Sequence, residues 1–230
     1  MRRRIITLSI ALLAMACFTA GAVHAALNTL TPAEKTAGWK LLFDGKTLNG
    51  WKATGDPAGW KVADGAIANL AKGGGMLATV DRFGNFALSM EFKVTPHANS
   101  GVFFRWAVLG DPVQRGIEIQ ILDSYGVEKP GKHDCGAIYD CLAPRKNTSK
   151  PAGEWNKMVL TCRDNLVWID MNGKRIIYMN LDRWTTPHMN PDGSRNKFRI
   201  AYKDMAREGH IGLQDHGHKV WFRNIKIRPL

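Results

Sequence analysis

The stretch Leu166-Val167-Trp168-Ile169-Asp170-Met171, Asn172-Gly173, Lys174-Arg175-Ile176-Ile177-Tyr178-Met179 decides the fold. Two runs rich in β-branched and aromatic residues flank a dipeptide that accepts the positive φ angles of a tight turn, so the segment reads as a β-hairpin. A second hairpin joins Trp60-Lys61-Val62-Ala63 to Ala66-Ile67-Ala68-Asn69 through Asp64-Gly65. Working outward, strands are expected at Phe86 to Val94, Gly101 to Trp106, Gly116 to Leu122, Lys157 to Cys162, His210 to Leu213 and Lys219 to Ile227. No long stretch carries a 3.6-residue period. Thr31-Pro32-Ala33-Glu34 is a capping box with proline at the first helical position, which predicts one short helix ending at Gly38. Many short strands separated by turn residues predict an all-β sandwich with a single core. Asp182 to Gly209, rich in Asn, Pro, Asp and Gly, is the long loop, with a helical turn expected around Tyr202 to Arg207; such a loop is usually a functional rim or lid.

The chain has 230 residues, 45% hydrophobic and 23% charged, which argues against a disordered, collagen-like or coiled-coil chain. Residues 1–25 read as a signal peptide: Arg2, Arg3 and Arg4, an apolar run from Ile5 to Ala16, then Val23-His24-Ala25 with cleavage after Ala25. The run is shorter than a membrane span of about 20 residues. Lipidation at Cys17 is disfavoured because Ala14 stands where leucine is expected. The domain is therefore 26–230, periplasmic or secreted, with no transmembrane segment. The formal charge of +12 becomes +9 without the three leader arginines. Its cations are scattered, with no helical stripe or nucleic-acid motif, so nucleic acid is not an expected partner. Of the three remaining cysteines, Cys135 and Cys141 are a disulfide candidate if the chain turns at Gly136, and Cys162 is expected as a buried thiol.

In Gly116-Ile117-Glu118-Ile119-Gln120-Ile121-Leu122-Asp123, Glu118 and Gln120 share one face of a strand and the isoleucines the other. Strict alternation turns Asp123 to the apolar side, a costly place for a carboxylate. A bulge corrects this and places Glu118, Gln120 and Asp123 in one polar row. The plainer reading is a solvent-facing strand ending in a turn at Asp123-Ser124.

The E-x-Q-x-x-D pattern resembles the E-x-D-x-x-E strand of laminarinase-type glucanases, departing at its middle and last positions. In order along the mature chain stand Trp39-Lys40-Leu41-Leu42-Phe43-Asp44-Gly45-Lys46 with Leu48-Asn49-Gly50-Trp51, Trp60-Lys61-Val62, Asn99-Ser100-Gly101-Val102-Phe103-Phe104-Arg105 and Gly116 to Asp123. Gly136-Ala137-Ile138-Tyr139, Gly153-Glu154-Trp155-Asn156, Gly212-Leu213-Gln214-Asp215-His216-Gly217 and Val220-Trp221-Phe222-Arg223-Asn224-Ile225-Lys226-Ile227 follow. Together these motifs, covering nearly the whole mature chain, resemble those of the 3-keto-disaccharide hydrolase family. The resemblance implies a concanavalin A-like jelly-roll sandwich of two curved antiparallel sheets, and cleavage of disaccharides or glycosides oxidised at C3. A C3 ketone acidifies the C2 hydrogen, so proton abstraction and elimination followed by hydration can break the glycosidic bond; direct hydrolysis is the other route. The alternatives are a non-catalytic, lectin-like glycan-binding module and ordinary glycosidase action.

Such chemistry needs a base, an acid and a donor for the enolate oxygen. Glu118 and Asp123 are candidates for base and acid in either order. Arg105 is the candidate for the oxyanion, its plainer role an ion pair with Glu118. His216 is a candidate proton shuttle, and Gln120, Gln214, His133 and Tyr139 are candidate saccharide ligands. Among eight tryptophans, Trp106 and Trp184 are the candidate sugar platforms, while Trp39, Trp51, Trp60, Trp155 and Trp221 are expected in the core. No metal or other cofactor is assigned, a divalent ion beside the enolate staying open. The expected partner is a saccharide substrate, functionally linked to a glycoside 3-oxidoreductase that makes the ketone.

Overall fold

The computed structural model describes residues 26–230, so the expected leader and Cys17 lie outside the described residues. Thirteen strands run in chain order: β1 Lys40–Leu41, β2 Trp51–Ala53, β3 Trp60–Ala63, β4 Ala66–Asn69, β5 Met76–Thr79, β6 Phe86–Val94 and β7 Asn99–Trp106. They continue with β8 Ile117–Leu122, β9 Asn156–Arg163, β10 Leu166–Met171, β11 Lys174–Asn180, β12 His210–Gln214 and β13 Val220–Pro229. One sheet has the order β11-β10-β9-β6-β13-β4-β3, with β1 also on β13; the other has the order β2-β5-β12-β7-β8. Among the described residues every strand pairing is antiparallel, and chain neighbours are repeatedly separated in the sheets, as in a jelly-roll sandwich.

Local chemistry explains the hairpins. Asp64 and Gly65 have φ of 51° and 68°, and Asn172 and Gly173 have φ of 49° and 77°, the left-handed pair that a two-residue turn needs. Thr31 caps the helix Pro32–Thr36 in a complete capping box with Glu34. Alternation then fills the space between the sheets. From the larger sheet come Leu88, Met90, Phe92, Leu160, Ile169 and Phe222; from the smaller come Val102, Phe104, Ile117, Ile119 and Ile121, all essentially inaccessible.

The structure corrects several expectations. Cys135 and Cys141 are free and buried rather than bridged, and burial pushes both thiols up to about 12. The isolated bridges of Ile138 to Ile119 and Leu142 build this segment as packed backbone beside β8, so neither thiol depends on a bond to hold it. Trp39, Trp155 and Trp221 are only half-buried and lie outside the core, whereas Trp51 and Trp60 are buried in it. The two tryptophans expected as platforms are buried. Trp106 is wedged over Gly212, where a Cβ would meet its ring at 3.1 Å, and Trp184 donates its indole N–H to Asn190 Oδ1 at 2.9 Å. No helix among the described residues is long and apolar enough to cross a membrane.

Candidate active site

The β7–β8 ladder is continuous, pairing Phe103 with Glu118, Gly101 with Gln120 and Asn99 with Leu122. Alternation therefore drives Ile117, Ile119 and Ile121 into the core and turns Glu118 and Gln120 to the other face. On β12, Gly212 pairs with Phe103, so Gln214, two residues on, joins that face. The carboxyl of Glu118 lies over Gly101, where a Cβ would come within 2.6 Å of Glu118 Oε1 and 3.2 Å of Gln214 Oε1. Only glycine leaves that space to the side chains. They border a hollow of about 150 Å³, completed by Asn99, Val113, Tyr139, Lys197 and His216.

Glu118 is 5% exposed, and burial raises its pKa from an ordinary 4.5 to about 7, against the opposing pull of Lys197. Tyr139 is also pushed up, by burial first and then by the charges of Glu118 and Asp140, so it holds its proton. Gln120 donates to Asn99 Oδ1 at 3.3 Å, yet Gln120 Oε1 and Gln214 Oε1 are buried without partners. An unmet buried acceptor costs about 1–3 kcal/mol, a cost that donor hydroxyls of a ligand offset. Lys197 comes from the long loop. Its ammonium lies 4.1 Å from the centre of the Tyr139 ring, and the Lys197 backbone N–H donates to Asp140 Oδ2 at 2.8 Å. The other Asp140 oxygen meets His133 Nε2 at 3.0 Å, and the His133 ring packs 4.7 Å from that of Tyr139. Asp140 thus straps the loop after β8 to the rim loop, holding Lys197 and Tyr139 together.

A Gly101→Ala substitution should displace flexible side-chain ends rather than backbone. Its expected result is a thermal midpoint within a few degrees of the parent and turnover lowered at least about tenfold, because a misplaced catalytic group is sensitive to shifts of about 1 Å. Thermal unfolding and kcat/KM measured on the same preparation check this.

A family model for the 3-keto-alpha-glucoside-1,2-lyase-like domain matches residues 38–228. The chain belongs to that family. A relative named 3-keto-disaccharide hydrolase from Bacteroides thetaiotaomicron is 31% identical, over 84% of this chain and 79% of its own. Two crystal structures of provisionally named glycosyl hydrolases from Parabacteroides distasonis are also similar. One is 35% identical with a TM-score of 0.76, covering 84% of this chain and 99% of its own; the other is 28% identical with a TM-score of 0.73, covering 89% and 99%.

In this 3-keto-alpha-glucoside-1,2-lyase-like chain, the structure brings Glu118, Gln120, Tyr139, Gln214 and His216 to one hollow and sets His133 behind Tyr139. Other expected site residues lie elsewhere. Asp123 follows β8 with no bulge before it; its N–H donates to Ala98 O, and its Oδ2 accepts the His97 N–H at 3.0 Å, closing the β6–β7 turn. Arg105 neither pairs with Glu118 nor lines the hollow. Fully buried at φ 50°, it donates to Gly84 O, Asp164 O and Asn85 Oδ1 at 3.1, 2.7 and 3.2 Å. Trp106 shares the sheet face but is sealed with Met76, Ala78 and Phe103, and Trp184 lies beside Asn190 in the rim loop. Sequence reasoning missed Asn99, Val113 and Lys197 as lining residues. The length of the rim loop was the available signal for Lys197.

Proposed function

We propose that the chain is an exported enzyme that cleaves 3-keto disaccharides or 3-keto glycosides by removing the C2 proton. The observation that supports this is a hollow with one carboxylate, Glu118, poised near neutrality beside Lys197 and lined otherwise by amides, a phenol and an imidazole. Ordinary retaining or inverting glycosidases use two carboxylates across the scissile bond. Asp123, the second carboxylate expected from the sequence, caps a turn instead.

Ionised Glu118 takes the C2 proton, and that electron pair forms the C2–C3 double bond, leaving an enolate oxygen for Lys197 to stabilise. Re-forming the ketone moves that electron pair into a C1–C2 double bond and expels the glycosidic oxygen from C1, and Tyr139 or His216 protonates it as it leaves. Water then adds at C1 while C2 regains a proton, so the net change is hydrolysis. The unmet oxygens of Gln120 and Gln214 accept sugar hydroxyls. A preceding oxidation of the C3 hydroxyl by a glycoside oxidoreductase supplies the substrate. Residues 1–25, with their arginines and apolar run, support export to the periplasm or beyond.

Incubation with a 3-keto disaccharide and with its unoxidised parent tests this reading. Selective monosaccharide release from the oxidised sugar is expected; glycan binding without product would turn the reading toward a lectin-like module. Replacing Lys197 with methionine removes the cation that lowers the Glu118 pKa, so the rising limb of the pH–kcat/KM profile should move to higher pH. A limb that stays near pH 7 would separate Lys197 from Glu118.

A further inference from the structure

The outer face of the larger sheet carries cations and aromatic rings that the catalytic reading leaves unused. We infer that this face is a second saccharide site, one that binds an acidic polysaccharide across the strands between Trp168 and Arg228. Register places the row: Tyr178 lies opposite Trp168, Trp168 opposite Thr161, Thr161 opposite Ala87 and Ala87 opposite Arg228. With adjacent strands about 4.8 Å apart, Trp168 and Arg228 stand about 14 Å from one another. The small side chains of Ala87 and Thr161, 4% and 8% exposed, form the floor between them.

Each end of the row combines a ring with a guanidinium. Trp168 stacks with the half-exposed Tyr178 at 6.5 Å and lies 5.6 Å from Arg175; Trp39 lies 5.5 Å from Arg228. About 20 Å farther along β6 on the same face, Lys93 sits over both Trp155 and Trp221, at 5.1 and 4.8 Å. Acids on this side are already satisfied. Asp170 pairs with Arg175, Glu91 with Arg223 and Glu34 with Lys226. Among the described residues Lys93 and Arg228 have no ion-pair partner, and Arg228 Nε is buried with no acceptor. An uncompensated guanidinium with an unmet donor selects a carboxylate or sulfate oxygen. Aromatic planes spaced across the sheet suit an extended chain of sugar rings, so the ligand that meets both requirements is an anionic glycan polymer. This face lies on the opposite sheet from Glu118, so the inference stands apart from the catalytic reading.

Affinity electrophoresis of the full chain through gels containing polygalacturonate, dextran or no polymer tests it, with flotation on phosphatidylglycerol vesicles as a parallel arm. Retardation by polygalacturonate but not dextran is expected. Trp168→Ala and Arg228→Gln should each weaken it at least about fivefold, the loss of one cation–π or charge-assisted contact. Their thermal midpoints and turnover should match the parent. No retardation by polygalacturonate, equal retardation of both variants and the parent, or capture by vesicles alone would overturn the proposal.

Discussion

Replacing Glu118 with glutamine should lower turnover of a 3-keto disaccharide by about 10²–10⁴-fold, the range of general-base catalysis, while making the protein more stable at alkaline pH. Both effects come from the same burial. Glutamine keeps the shape over Gly101 but cannot accept a proton. Folding raises the Glu118 pKa from 4.5 to about 7, so the folded state favours the protonated acid. The stability linked to that proton is complete below about pH 4.5 and is lost as pH rises through about 7, by roughly 3 kcal/mol in all. Glu118→Gln has no charge to bury and escapes the loss. Urea unfolding at pH 4.5 and pH 8.5 should therefore show the variant gaining on its parent between the two conditions. Equal pH dependence of parent and variant would mean that Glu118 is not the buried titrating group described above.

Arg105→Met should destabilise the fold by about 2–4 kcal/mol, because backbone carbonyls that the guanidinium satisfies lose their donor at about 1–3 kcal/mol each. The guanidinium joins the β6 approach at Gly84 and Asn85 to the β9–β10 turn at Asp164. Methionine fills part of the volume but leaves Gly84 O and Asp164 O without the guanidinium donor, while Asn85 Oδ1 keeps only the Asp164 N–H at 2.8 Å. Arg105→Lys should recover little, because one ammonium cannot reproduce a fork aimed at three oxygens. If Arg105 instead held an oxyanion, the variant would fold with the parent's midpoint and lose turnover, a separation that thermal unfolding beside kcat/KM makes directly.

Much of the fold was legible because short-range chemistry carries it. Asn172-Gly173 and Asp64-Gly65 announced their turns, and β6, β10 and β11 were readable from residue type and alternation. β5 was missed for a physical reason. Met76–Thr79 is buried on both faces, Leu77 in the core and Met76 and Ala78 beneath Trp106, so no alternation marks it. At the site, Glu118 and Gln120 were legible from strand parity alone. Asp123 was misplaced because its carboxylate found a turn N–H at His97, which made a bulge unnecessary. Arg105 was misplaced because its left-handed φ, just before the β7–β12 register shift, points its side chain away from the strand's regular face. A polar loop beside a tryptophan does not expose its ring. Trp106 and Trp184 are sealed in, while Trp155 and Trp221 lie outside with Lys93 over them. Lys197 is brought to Glu118 by Asp140, a contact across 57 residues that no local pattern encodes.

The central claim is that bond cleavage begins with loss of the C2 hydrogen to Glu118. Comparing kcat/KM for a 3-keto disaccharide carrying hydrogen or deuterium at C2 tests it most directly. The account predicts a primary isotope effect clearly above unity. Identical rates for the two isotopologues, in an enzyme that still needs Glu118, would contradict it.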